Sequence, residues 1–275
     1  MGKYSPLRNR PMHRPRISVV TPVLNGERFI RSTVESVLSQ KGEFDLEYIV
    51  KDGCSSDSSL DILYEYNKYC TIITAKDSSP QDAINQGMAA AAGDICCWLN
   101  ADDLYEPGAL QAAVDAFARH PERKWAYGRC RIINESGAEI RRPVTGYKNL
   151  LGYCYSRNVL LCENFINQPA TFWKRELWDR AGGLSLDFQA AFDYDLWVKM
   201  ANLSAAVPIH RFLARFRRHQ ESISENIFEL QFAEEMRVVR QHGNILHKTI
   251  HEINRRKITF LYRVMARSNK ETRLP

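Results

Sequence analysis

Four short β-rich runs, each followed by a helix-forming stretch, constrain this chain more than any other feature. Ile17-Ser18-Val19-Val20-Thr21 leads through Pro22 and Asn25-Gly26 into residues 27–39. There Phe29, Ile30, Val34, Val37 and Leu38 recur at amphipathic-helix spacing, with Asn25 a candidate N-cap. Leu46 to Val50 is a second strand, ending in Lys51-Asp52-Gly53 and followed by a helix near 60–68. Thr71 to Ala75 is a third strand, before an Ala-rich helix over 81–91 that Gly93 ends. Ile95 to Leu99 is a fourth, closed by Asn100-Ala101-Asp102-Asp103, and Pro107 suits the first turn of the next helix. Strands alternating with helices at this rhythm predict right-handed βαβ units and a mostly parallel sheet. Ligands of such sheets bind beyond the carboxyl ends of the strands. Those ends carry Thr21-Pro22, Asp52, Lys76-Asp77 and the acidic turn, so polar chemistry is expected along one edge.

The second half is less regular. Residues 125–133 and 139–144 read as a hairpin around Glu135-Ser136-Gly137, and 146–166 read as an aromatic loop. Residues 174–181 and 193–202 look helical, and 225–266 look like one or two helices. Trp173, Trp178 and Trp197 read as packing residues.

With 275 residues, 44% hydrophobic and 25% charged, the chain is long enough and apolar enough to bury a core. The net charge of +6 divides into +5 for residues 1–16, −6 for 17–205 and +7 for 206–275. Basic ends suit an anionic partner or are a solvated surface, and charge alone leaves both open. Seven cysteines without a C-x-x-C pair fit neither a disulfide framework nor a zinc site. No signal-like stretch and no run of about 18 apolar residues occurs. The expected location is cytoplasmic, with the option of peripheral attachment to the inner membrane face.

Two carboxylates at a strand end can hold Mg²⁺ or Mn²⁺, with phosphate and water completing the shell. They can equally form a solvated acidic turn. Asp52 can meet a base or ribose, or close an Asx-turn before Gly53. Asp195, two residues beyond Asp193, reads as a cap or salt-bridge partner.

The ordered set of segments resembles the family-2 glycosyltransferases of the GT-A fold. These segments are Val20 to Asn25, Val50 to Asp57, Asp82 to Gly87, Gly93-Asp94, Leu99 to Asp103, Phe192 to Trp197 and Arg218 to Ser224. The resemblance implies a Rossmann-like, mostly parallel central sheet flanked by helices, with a helical C-terminal extension. It implies inverting transfer of one sugar from a nucleoside diphosphate sugar (UDP-, GDP- or dTDP-type) to a hydroxyl of a glycan or lipid-linked acceptor, in surface polysaccharide or glycoconjugate synthesis. Thr21, Pro22 and Val23 would line the nucleotide pocket, with Glu27 close by. Asp52 would meet the base and Asp82 the base or ribose. Asn100 and Ala101 would lie on the donor side, and Asp102, with His219, would hold a divalent Mn²⁺ or Mg²⁺. Asp193 would be the catalytic base.

The chain departs from the family pattern at four positions. Asn100 stands for the first Asp of a D-x-D element, Gln168 for a His, Cys54 for a Ser, and Phe192 for an acidic residue. The Q-x-x-R-W element of processive synthases is absent, which favours single-sugar transfer.

The expected organisation is a basic arm over 1–15, a catalytic body over 16–224 and a basic extension over 225–275. The body splits into a donor half, 16–103, and an acceptor half, 104–224. The extension, through Ile245 to Met265, is a candidate for an anionic membrane surface. The alternative is a non-catalytic nucleotide binder or a basic-tailed nucleic-acid or membrane binder. Nucleic acid is the least favoured partner, because the basic residues lie outside the motif-bearing body. A nucleotidyltransferase would need a Gly-rich loop where only Gly26 stands.

Overall fold

The computed structural model describes residues 14–219 and 228–271. Most of the expected basic arm (1–13) and the end of the Arg218 to Ser224 segment (220–224) lie outside them.

The four expected strands form as β1 (Arg16–Val23), β2 (Asp45–Asp52), β3 (Thr71–Thr74) and β4 (Ile95–Trp98). They pair in parallel in the order β3-β2-β1-β4. The crossovers are α1 (Ile30–Leu38), α2 (Ser59–Tyr64) and α3 (Pro80–Ala90). β1 is buried over nearly its whole length because helices cover its sheet face and both of its edges are paired. α3 approaches β1 closely: a Cβ on Gly87 would stand 2.4 Å from Val20 Cγ1. The chain reverses its order between β1 and β4, the switch point at which open sheets leave a crevice.

Beyond β4 the sheet becomes mixed. β5 (Leu104–Tyr105), α4 (Ala109–Arg119), β6 (Trp125–Ile133) and β7 (Glu139–Ile140) come first. β8 (Thr171–Lys174) and the long β9 (Ala206–Arg217) follow. The order continues β4-β8-β6-β9-β5, with β7 on β6. β8 runs antiparallel to both β4 and β6, whereas β9 runs parallel to β6. The mostly parallel expectation therefore holds for the first half, and the second half is mixed.

The hairpin of β6 and β7 ends at Ile140. Residues expected to continue it, and the stretch expected as a loop, instead form α5 (Arg142–Leu151) and α6 (Arg157–Cys162). Pro143 in the first turn of α5 is compatible with a helix start, and the Ser156 hydroxyl caps α6 by accepting from Val159 N. α7 (Arg175–Ala181) and α8 (Phe192–Leu203) match their expected spans closely. α9 (Phe228–His242) and α10 (Ile245–Glu271) close the chain.

Four tryptophans tie the halves together. Trp98, Trp125, Trp173 and Trp197 are all buried. Trp197 stacks on Trp98 of β4 at 5.6 Å and on Trp125 of β6 at 6.0 Å. Such pairs add about 0.5–1.5 kcal/mol each beyond their buried area. α9 contributes Val238 and Val239 to the same core.

Candidate active site at the carboxyl edge of the sheet

The β1–α1 and β2–α2 loops lock together. Asn25 takes a left-handed conformation (φ 52°), so it is not the cap of α1. Phe29 occupies that place without a side-chain cap. Asn25 Oδ1 instead accepts from Ser56 N (2.8 Å), and its own N–H donates to Ser55 Oγ (2.9 Å). Gly26 N donates to Ser59 Oγ (2.8 Å), and Glu27 Oε2 accepts from Ser58 N (2.9 Å).

Asp52 is buried and already engaged. Its carboxylate accepts from Cys54 N (2.9 Å), Ser55 N (3.1 Å) and Ser55 Oγ (2.5 Å), the Asx-turn geometry that the sequence left open. Asp82 likewise accepts from Ser78 N (2.8 Å) and Ser78 Oγ (3.0 Å) at the start of α3. The Ser78 N–H and the Gln86 amide hold it below the usual carboxylate range. Thr21 turns its hydroxyl toward the buried Tyr48 phenol (3.1 Å), so any donor contact it makes is through backbone. Val23 is buried and Pro22 half-buried beside it.

The acidic turn splits its two carboxylates. Thr33 of α1 donates its hydroxyl to both Ala101 O (2.8 Å) and Asp103 O (2.9 Å), which pins the turn from below. Asp103 faces inward, fully buried, and accepts Arg217 N at 2.9 Å. Burial, with the neighbouring Asp102 carboxylate, pushes its carboxyl well above the ordinary range. Asp102 is the outward one. Its Oδ2 lies 2.9 Å from Nε2 of His219, across 117 residues of sequence. These side chains are 25% and 11% exposed. Among the described residues no group of three or more His, Cys, Asp or Glu could enclose a metal. One carboxylate and one imidazole are oxygen and nitrogen donors suited to a divalent ion that draws its remaining ligands from a diphosphate and water.

Two of the chain's departures from the family pattern meet here. Asn100 Nδ2 donates to Gln168 Oε1 (3.2 Å), and Gln168 Nε2 donates to Trp98 O (2.7 Å). Two neutral amides bridge the end of β4 where the family pattern has a carboxylate and an imidazole.

Several residues beside this edge escaped sequence reading. Arg217, which precedes the Arg218-His219 segment, donates to Asp102 O (2.9 Å), Asn134 O (3.2 Å) and Glu135 O (2.8 Å). Its guanidinium lies 4.6 Å from the Phe29 ring centre, and that of Arg28 lies 4.9 Å away. The His219 ring stands 5.2 Å from the same ring. Arg28 also pairs with Glu135 on the β6–β7 turn. Their only sequence signal was position, next to motifs whose partners lie far along the chain.

Asp193 lies in the first turn of α8, four residues before Trp197 and so on the same face, the one that packs over β4 through Trp98. It accepts from Tyr194 N at 2.7 Å. Loss of solvent around its carboxyl pushes it up to about 6, partly offset by the Tyr194 N–H and the positive charge of Lys148. Nearby Glu235 of α9 is pushed by burial up to about 7. Asp195 is buried against Lys199 (2.6 Å), a salt-bridge partner as expected.

The family model described as glycosyl transferase family 2 matches residues 18–177. An uncharacterized glycosyltransferase of Mycobacterium tuberculosis is 28% identical over 207 residues, 74% of this chain and 75% of that protein. Chondroitin synthase of Escherichia coli is 26% identical over 230 residues, 82% of this chain but only 32% of the synthase. Among solved structures, S. aureus TarS 1–349 in complex with UDP-GlcNAc superposes with a TM-score of 0.63 at 16% identity. That match covers 86% of this chain and 70% of TarS 1–349. The mannosyltransferase PcManGT from Pyrobaculum calidifontis, in complex with GDP-Man and Mn²⁺, gives 0.64 at 21% identity. It covers 82% of this chain and 66% of that one. These structural likenesses establish the GT-A fold.

Proposed function

The chain belongs to glycosyl transferase family 2, and from that membership we propose that it moves one sugar, with inversion, from a nucleoside diphosphate sugar to an acceptor hydroxyl. The observation that carries this reading is the meeting of Asp102 and His219 at the switch-point edge of the sheet. Asp193, one helical turn before the Trp197 that stacks on Trp98 of β4, supports it. The solved relatives hold UDP-GlcNAc in one case and GDP-Man with Mn²⁺ in another. A nucleotide-sugar donor and a divalent ion are therefore the partners to test first.

In the proposed step the acceptor oxygen attacks the anomeric carbon from the face opposite the diphosphate. Its proton passes to the Asp193 carboxylate, and the bond from the anomeric carbon to the diphosphate oxygen breaks with its electron pair. A carboxyl near 6 is ionised at neutral pH yet more basic than an ordinary Asp, as a general base requires. Asp102 and His219 would hold the ion, which supplies electrostatic stabilisation of the departing diphosphate. Arg28, Arg217 and Phe29 build the wall beside that charge.

A glycan or lipid-linked acceptor in polysaccharide synthesis fits the likeness to chondroitin synthase, of which this chain spans about a third. Among the described residues no helix is long and apolar enough to cross a membrane. Exposed Ile245 and Leu246, beside Lys248, favour peripheral contact with an anionic membrane.

A thermal-shift panel of nucleotide sugars with and without Mn²⁺ would identify donor and ion together, since a ligand stabilises by mass action. Asp193→Asn should keep the donor-induced shift and lose transfer by about 10²–10⁴-fold. Transfer by Asp193→Asn at the wild-type rate would show the base assignment to be wrong.

A further inference from the structure

We propose that Glu234 of α9 is a positioning residue for the reaction: its carboxylate clamps the backbone that delivers Asp193, and so makes the C-terminal helices part of the catalytic apparatus. This rests on the reading of Asp193 as the base.

The segment between α7 and α8 has no regular structure of its own, yet it must place the first turn of α8. Two sets of contacts hold it. From the donor side, α3 reaches across with Asn85 and Gln81. Asn85 Nδ2 donates to Leu184 O (2.9 Å) and Asn85 Oδ1 accepts Leu184 N (3.1 Å). Gln81 Nε2 donates to Phe188 O (2.7 Å). From the other side comes α9. Glu234 Oε2 accepts the N–H groups of Ala190 (2.8 Å) and Ala191 (2.9 Å), and Gln189 N donates to Oε1 at 2.9 Å. Arg237, one turn further along α9, sets its guanidinium 4.8 Å from the Phe188 ring centre.

One buried carboxylate thus serves three consecutive amides, the last of them two residues before Asp193. Charge-assisted bonds of this kind are roughly twice as strong as neutral ones. A negative charge just ahead of α8 is also favoured by the helix dipole. α9 is already anchored by the buried Val238 and Val239, so packing alone does not require a carboxylate at 234. Its bonds go to the segment that sets the position of the base. Removing it would leave three amides without their acceptor and release the first turn of α8. A displacement of about 1 Å at a catalytic group costs on the order of a hundredfold in rate.

Two measurements on the full chain test this. Hydrogen exchange read by mass spectrometry should speed up at least about tenfold over residues 187–193 in Glu234→Ala, with 196–200 and β1 unchanged. Unchanged exchange over 187–193, or a rise across the whole molecule, overturns the clamp.

The second measurement is a double-mutant cycle. It follows nucleoside diphosphate released from UDP-N-acetylglucosamine and from GDP-mannose, with water as acceptor and Mn²⁺ present. Glu234→Ala should lower kcat about a hundredfold with donor KM within about threefold. Glu234→Gln, which keeps one acceptor oxygen and the side-chain volume, should recover part of that loss. In the Asp193→Asn background, Glu234→Ala should cost nothing further. An equal loss in both backgrounds assigns Glu234 a general structural role and overturns the proposal alone. A wild-type rate for Asp193→Asn removes the base reading on which it stands.

Discussion

Asp193, the base in the proposed reaction, shows how burial alters an ordinary carboxyl. Its carboxyl is raised to about 6 by loss of solvent, so below that pH it is protonated and cannot accept a proton from the acceptor. kcat/KM is therefore expected to rise with pH through about 6 and level off above it. The stability sign is the opposite one. A folded-state value above the unfolded one means that ionising Asp193 costs stability as pH rises from the ordinary carboxylate range through about 6. Asp193→Asn should remove both effects, which a pH–rate profile and melting points across pH 4–8 would check. The amides of Asn100 and Gln168 make a second residue-scale prediction. Asn100→Asp removes the donor to Gln168 and places a carboxylate beside the buried Asp103. It should lower stability by about 1–3 kcal/mol without metal, and Mn²⁺ should restore more stability to it than to wild type. Chemical denaturation with and without Mn²⁺ measures this. Asp102, His219 and Asp193 could be named as candidates from sequence because short ordered motifs carried them, and the structure brings Asp102 and His219 together. Arg217 and Glu234 could not be, because each acts on backbone that is distant in sequence, and no local pattern marks such a partner.

At the scale of elements, β1 to β4 and α1 to α3 were readable because alternation of period and turn residues agreed. β9 was hidden by its own composition. It carries Pro208 inside a central strand, where a proline ordinarily argues against strand. Register shifts opposite Gly128 and Arg129 also break its two-residue alternation. α5 was hidden because Gly146 interrupts it and Thr145 is its only buried residue: Val144, Tyr147 and Leu151 recur at helical spacing but stay half-buried or exposed. The close packing of α3 on β1 is testable. Gly87→Ala puts a methyl where Val20 already stands and is expected to cost about 1–3 kcal/mol, read as a fall in the denaturation midpoint. α3 also holds the segment before Asp193 through Gln81 and Asn85, so one helix contacts both β1 and the chain that leads into α8.

For the whole molecule, a single sheet runs from the parallel strands β1 to β4 into the mixed second half, and α9 and α10 pack back onto that body. Asn254 of α10 donates to Cys162 O, and Arg157 of α6 donates to His242 O. Among the described side chains of α10, Arg255 and Arg256 both pair with Glu252, so their charge is less free than composition suggested. The proposed membrane contact therefore rests more on the exposed Ile245 and Leu246. Replacing both by Glu should abolish flotation with anionic vesicles, and undiminished flotation would exclude this face. In the proposed reaction Asp102, backed by His219, carries the ion that holds the donor diphosphate. Calorimetric titration of UDP and of GDP into wild-type protein and Asp102→Ala, each with and without Mn²⁺, measures that role. Wild type is predicted to bind one of the nucleotides at least tenfold more tightly with Mn²⁺, and Asp102→Ala to lose that gain. An Asp102→Ala protein whose Mn²⁺-dependent affinity equals that of wild type would contradict it.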